Sequence, residues 1–204
     1  MLFNRITIQP KKGKFIVNAD KLVVGLTGMP GAGKSLVVDT ARDLGYAIVT
    51  MGDVVREQTR QRGLEPTPQN VGKVMLELRA EGGNFAIAKK CIPKIEEQVS
   101  HKVLVDGLRS QFEADIFKEH FQKFTVVAVH ASPEIRFQRL SRRGRSDDPK
   151  TWEVFHERDM RELGVGLGTV IALSEKILVN DNNIDGFKVQ VKENFARLEK
   201  KWLK

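Results

Sequence analysis

The chain has 204 residues, 41% of them hydrophobic and 29% charged, which is enough apolar material for one core and far from the balance of a disordered chain. That length implies one domain, or one domain with a small inserted lid, and argues against a linear multidomain assembly. No apolar run approaches the ~18 residues of a membrane span. Met1 to Lys14 lacks a continuous hydrophobic region with a cleavage site, and Cys91 is the single cysteine, so intrachain disulfides and Cys-rich metal sites are excluded and a reducing cytoplasm is the expected compartment.

In chain order, residues 1–20 read as an N-terminal extension, with alternation at Ile6-Thr7-Ile8 and Phe15-Ile16-Val17 that suggests a weak hairpin. Residues 21–204 form the domain proper. Five short apolar runs follow: Leu22 to Thr27, Ala47 to Thr50, Val103 to Val105, Phe124 to His130, and Lys176 to Asn180. Because they are continuous, not alternating, they read as strands covered on both faces, and the helical patterns between them make the connections parallel. The expected fold is α/β, a doubly wound parallel sheet of five strands. The interval 51–102 contains Pro66, Pro68 and Gly82-Gly83, room for three helices where one crossover needs far less. Ser132 to Ser174 is helical but broken by the polar loop Gly144 to Lys150. Asn194 to Lys204 reads as an amphipathic helix end.

Directly after the first strand comes Gly28-Met29-Pro30-Gly31-Ala32-Gly33-Lys34-Ser35, a full G-x-x-x-x-G-K-[ST] pattern between a strand and a helix. Glycines there let the backbone wrap a phosphate with several N–H groups and a helix N-terminus. Lys34 then neutralises the β- and γ-phosphates, and Ser35 offers a hydroxyl to Mg²⁺. The implied ligands are ATP and Mg²⁺, bound by residues 28–35. Asp106 ends the third strand as a second metal-side carboxylate, or else caps the helix expected from Arg109 onward.

The net charge of +8 favours anionic partners, and the arginines are informative in detail. Arg136, Arg139, Arg142, Arg143 and Arg145 fall within ten residues, with Arg136, Arg139 and Arg143 on one helical face. A solvated basic face is the ordinary alternative. The functional reading is a lid over 141–150 in which Arg139, Arg143 and Arg145 stabilise a migrating phosphoryl group and exclude water, with Asp147 and Asp148 pairing its arginines. Arg158 and Arg161 lie one turn apart and could also reach the phosphates. A GTPase switch is disfavoured because no Asn-Lys-x-Asp segment is present. A nucleic-acid ATPase keeps the support of the positive charge, but aromatics are 7% and no basic stripe with stacking residues is visible. The four histidines lack ligand spacing, and His130 reads as a core residue.

Two further segments carry a family resemblance. Gly52-Asp53-Val54-Val55-Arg56 resembles the Gly-Asp-x-x-Arg segment of adenylate-kinase-type nucleoside monophosphate kinases. Asp106-Gly107-Leu108-Arg109 is similar to that family's Asp-Gly-Phe-Pro-Arg, one residue shorter. The order of P-loop, these two segments, arginine lid and terminal strand follows the family across Leu22 to Lys204. The resemblance implies a kinase-type P-loop fold, Arg56 and Arg109 on the acceptor phosphate, 51–102 as the acceptor pocket, and Asn180 beside the adenine ring. The chain looks closer still to an archaeal P-loop family labelled as related to dephospho-CoA kinase, and Gly25-Leu26-Thr27-Gly28 and Leu44-Gly45-Tyr46 resemble the opening of dephospho-CoA kinases. A hydroxyl acceptor needs a base, for which Asp53 is the candidate, whereas a phosphate acceptor needs cations. Asp53 could equally be a helix N-cap, Arg56 an exposed charge on a helix face, and Asn180 part of a polar turn. The favoured expectation is γ-phosphoryl transfer from ATP to a nucleoside monophosphate in the cytoplasm. Dephospho-CoA is the alternative acceptor, no membrane is involved, and nucleic acid is possible but not favoured as a partner.

Overall fold

The computed structural model describes residues 20–145, 147–181 and 183–203. Within these, the strands are β1 (Leu22–Thr27), β2 (Ala47–Thr50), β3 (Lys102–Asp106), β4 (Lys123–His130) and β5 (Lys176–Val179). Between them run α1 (Lys34–Asp43), α2 (Met51–Gln61), α3 (Pro68–Gly82), α4 (Ala86–Glu96), α5 (Gln111–His120), α6 (Pro133–Arg143), α7 (Trp152–Gly164) and α8 (Leu167–Ala172), with α9 (Ile184–Trp202) at the end. The expected strands are all present to within a residue or two, and three helices fill the long interval after β2. The anticipated hairpin lies in residues 1–19, outside the described residues.

All pairings are parallel, in the order β2-β3-β1-β4-β5. Along β1 the side chains alternate between two cores. Leu22, Val24 and Leu26 pack with α1 and α9 through Val37, Phe187, Val191 and Phe195. Val23 joins Val103, Val105, Phe117, Phe121 and Leu167 on the other face. Burial on both faces explains why β1, β3 and β4 read as unbroken apolar runs, whereas β5, at the sheet edge, buries only Leu178, so its expected cover on both faces is absent. His130, expected in the core, is instead exposed at the end of β4, where β4 runs two residues past its pairing with β1 and His130 is paired only with Val179 of β5.

The strand order places the site. From β1 the chain crosses over β3 to reach β2, and it later leaves β3 for β4 on the opposite side of β1. A crevice therefore opens at the carboxyl ends of β1 and β3, the usual location of ligands in open parallel sheets. Asp106, at the end of β3, is in register with Leu26 of β1 and Thr50 of β2. The loops that follow these three strands consequently emerge side by side.

The wall of α6 and α7 is fixed to this crevice by one buried ion pair. Arg136 donates to both Asp159 oxygens (2.8 and 2.6 Å), to Ala131 O (3.2 Å) and to Pro30 O (3.3 Å). Its guanidinium also sits 4.9 Å from the Phe155 ring centroid. With Arg136 4% and Asp159 8% exposed, removing either partner strands a buried charge. Asp159→Ala is expected to lower the unfolding free energy by about 3–5 kcal/mol, measured by urea denaturation, whereas Asp185→Ala in the exposed first turn of α9 should cost under about 1 kcal/mol.

Candidate active site

Residues 28–33 turn from β1 into α1 through positive-φ glycines. Gly28 (φ 146°) lies against the Val129 carbonyl, and Gly33 (φ 103°) against the Asn180 side-chain amide, so a Cβ at either would collide. Gly33 is the N-cap of α1 and offers no side-chain cap, which leaves the first N–H groups of the helix available to an anion. The outer side of the loop is pinned. Asn180 Nδ2 donates to Ala32 O at 2.8 Å, Arg139 Nη1 reaches the same oxygen at 3.4 Å, and Arg136 holds Pro30 O. Lys34 Nζ folds back to donate to Gly28 O at 2.6 Å and Met29 O at 3.3 Å. Burial pulls its pKa down to about 8, against the opposing attraction of Asp106.

Asp106 belongs to this electrostatic group and is not a helix cap. The cap of α5 is Ser110, in a reciprocal capping box with Glu113. Burial raises the Asp106 pKa, with Lys34 and Arg109 pulling it back down. Its Oδ1 is buried and has no hydrogen-bond partner. An orphaned carboxylate oxygen close to the P-loop suits a hard cation with a partial water shell, and the Ser35 hydroxyl at the start of α1 adds a second oxygen donor. These two residues therefore fit magnesium.

A cavity of 540 Å³ runs from Gly28, Pro30 and Lys34, past Asp106, to the helices after β2. Four arginines line it: Arg56 of α2, Arg79 of α3, Arg109 after β3, and Arg145 after α6. Three have acidic partners. Arg56 Nε donates to Asp53 Oδ1 (3.0 Å), Arg109 Nη1 lies 3.6 Å from Glu162 Oε2, and Arg79 Nη2 donates to Glu113 Oε1 (3.3 Å). Glu113 in turn accepts from the N–H groups of Arg109 (2.8 Å) and Ser110 (3.2 Å). That carboxylate fixes the path of the segment 107–110. Burial pushes its pKa up, opposed by these donors and by Arg79.

Other expected residues sit away from the cavity wall. Asp53 is exposed at the third position of α2, whose N-cap is Thr50, so it is a first-turn acid and not a cap. Asn180 is buried, its amide engaged by the P-loop, and Arg139 donates to Asn180 O at 2.9 Å. In this structure both therefore brace the P-loop through its Ala32 carbonyl. Arg136, grouped with the lid by helical spacing, is the buried anchor of α6.

In the segment expected to form a lid, the described arginines pair with nearby acids. Gly144 (φ 74°) caps α6 and Thr151 caps α7. Between them Asp148 accepts from Arg143 Nε (3.1 Å) and from the N–H of Arg145 (2.8 Å), and Arg143 holds the Asp148 pKa below the usual range. Arg158 donates to Asp147 O at 2.9 Å and Oδ2 at 3.0 Å, while Arg161 is exposed on α7.

Arg79, Glu113 and Glu162 escaped the sequence reading. A periodic signal existed for the first: Pro68, Val71, Gly72, Met75 and Arg79 share one face of α3, and all five line the cavity.

Residues 27–156 match the AAA domain family AAA_17. A UPF0200 protein of Hyperthermus butylicus is 46% identical over 180 residues, 88% of this chain and 96% of that protein. Another, from Methanocaldococcus jannaschii, is 45% identical over 188 residues, 88% of this chain and 95% of that one. Among solved structures, shikimate kinase from Bacteroides thetaiotaomicron matches with a TM-score of 0.62 at 16% identity, covering 86% of this chain and 98% of that chain. Shikimate kinase from Acinetobacter baumannii in complex with shikimate gives 0.55 at 14% identity, covering 90% and 96%. At such identities the structures establish a shared fold, the kinase-type P-loop α/β sheet. The sequence relatives establish more: this chain belongs to the UPF0200 family.

Proposed function

We propose that the protein transfers the γ-phosphoryl group of ATP to a nucleoside monophosphate. The observation that carries this reading is the cavity joining the P-loop to a wall that bears Arg56 and Arg109. A monophosphate acceptor is already anionic and needs cations to hold it, while Val55, Val71, Met75 and Ile87 offer apolar surface for a base. A hydroxyl acceptor such as dephospho-CoA would need a free base, and Asp53 is ion-paired with Arg56 and off the cavity wall.

On this reading Lys34 leaves the Gly28 and Met29 carbonyls for the β- and γ-phosphates. Arg56 and Arg109 exchange their carboxylate partners for the acceptor phosphate and align its oxygen with the γ-phosphorus. That oxygen forms the new P–O bond as the bond to the ADP oxygen breaks, and ADP leaves with the electron pair. Arg145, and Arg143 once released from Asp148, offset charge on the transferring group and close out water. Ser35 and Asp106 would hold magnesium, which when bound neutralises phosphate oxygens.

The deciding assay is ADP release from MgATP against the nucleoside monophosphates, with dephospho-CoA, shikimate, RNA and DNA as contrasting arms. Acceptor-dependent turnover with a monophosphate is expected. Stimulation only by nucleic acid, or only by a hydroxyl acceptor, overturns the proposal. Lys34→Ala should lower kcat/KM by about a hundred- to a thousand-fold. Arg56→Ala and Arg109→Ala should each raise the acceptor KM about ten- to a hundred-fold, the worth of a charged hydrogen bond, with the ATP KM nearly unchanged. Asp106→Asn should raise the magnesium concentration for half-maximal rate by about ten- to a hundred-fold.

The lowered Lys34 pKa also predicts a proton linkage. Free protein loses the Lys34 proton as pH rises through about 8, and a bound triphosphate favours the charged amine and raises that pKa. ATP binding should therefore take up protons above pH about 8 and weaken as pH rises through that value. Calorimetry in buffers of different ionisation enthalpy reads this uptake, and Lys34→Met should abolish it.

A further inference from the structure

The cavity wall holds a polar group to which the proposed transfer assigns no role. Arg79 stands on the cavity-facing side of α3, one turn beyond Met75 and two beyond Gly72. Its side chain is 12% exposed, and its single hydrogen bond among the described residues is to Glu113. A guanidinium carries five N–H donors. A nearly buried arginine with most of them unspent, facing a cavity, is set to meet hydrogen-bond acceptors on a ligand. Glu113 is 1% exposed and already accepts from Arg79 and from two backbone N–H groups. It acts as a positioning residue that aims the guanidinium, and presents little of itself to the ligand.

The surroundings suit a flat ring. Val71, Met75, Ile87, Leu108 and Leu167 supply apolar walls, and a Cβ built on Gly72 would meet nothing within 4 Å, so α3 leaves room beside its own backbone. With the anionic end of the acceptor assigned to Arg56 and Arg109, Arg79 stands among these apolar walls as the group left to meet the base.

Resting on the phosphotransferase reading above, we propose that Arg79 is the base-reading residue of the acceptor site and selects bases that present a carbonyl oxygen beside an unprotonated ring nitrogen. Cytosine (O2 and N3) and guanine (O6 and N7) satisfy an arginine fork through two acceptors. Uracil offers carbonyl oxygens separated by an N–H donor and fills the fork less well. Adenine places an amino donor beside its ring nitrogen, and that donor meets the guanidinium donors head on. The expected acceptor order is CMP or GMP first, UMP next and AMP last.

The test measures both binding, by calorimetry, and turnover for the four monophosphates, with wild-type protein and Arg79→Gln, using thermal unfolding and ATP affinity as checks that the variant is folded. Wild type should favour CMP or GMP over AMP by about ten- to a hundred-fold, the discrimination of one bidentate arginine contact. Arg79→Gln should raise KM and Kd for the favoured acceptors by that factor while leaving AMP and ATP within about two-fold. Arg79→Lys, which keeps the charge without the fork, should recover little of the preference. Three results overturn the proposal: AMP as the best acceptor, an equal loss for all four acceptors in Arg79→Gln, or no selectivity in wild type. Turnover without base preference removes Arg79's role and leaves the phosphotransferase standing. Arg79-dependent binding of CMP or GMP without turnover does the reverse, and no binding of any monophosphate removes both.

Discussion

Two segments far apart in the chain meet on the guanidinium of Arg136, the P-loop at Pro30 and α7 at Asp159, and it also donates to Ala131 O just ahead of its own helix. Its burial makes each contact depend on the others, because a desolvated cation tolerates no vacancy among its partners. The P-loop is steadied from a second side by Asn180, which follows β5 and reaches Ala32 O. A loop of glycines, flexible in isolation, is in this way held to one conformation by side chains 106 and 148 residues further along. Preorganisation of this kind lets backbone N–H groups act on a phosphate without paying to order themselves at the moment of binding.

Around the cavity, cations are kept close together by giving most of them a resident acid. Arg56, Arg109 and Arg143 each have a carboxylate from a neighbouring turn or helix. Where such pairs are exposed they contribute little to stability, so an incoming phosphate can displace the acid at small cost, and the arginine turns from internal partner to ligand. The Arg79 pair differs, since Glu113 is buried and also orders the backbone of Arg109 and Ser110. Its geometry is retained whichever ligand enters. The cavity wall therefore combines partly exposed arginine–carboxylate pairs with one buried pair.

The fold was legible because its signals are local and strong. Continuous apolar runs report strands covered on two faces, and Gly28 to Ser35 encodes a conformation few other sequences permit. Arg56, Arg109 and Arg145 were legible as cavity residues because short motifs or clustering marked them. The remainder depended on tertiary pairing that spacing does not reveal. Arg136 and Arg139 share a helical face with Arg143, but α7 and the loop after β5 claim the first two for structural bonds. Asn180 was placed beside the nucleotide by resemblance, and in the folded chain its amide is consumed beneath the P-loop. Asp53 is drawn to Arg56 by helical i, i+3 proximity. Arg79 lay on a stripe of five cavity residues whose period was present in the sequence, but its acid, Glu113, comes 34 residues later.

The bracing of residues 30 and 32 by residues 136 and 180 also joins occupancy to the integrity of the whole domain. Local opening of α6 or of the turn after β5 would loosen the cradle, and a nucleotide held there opposes both openings at once. A ligand at a hundred times its dissociation constant adds about 2.7 kcal/mol to the folded state, comparable to a sizeable fraction of a domain's net stability. Resistance of the folded chain to proteolysis would then rise with occupancy of the loop, because only the opened form is cleaved.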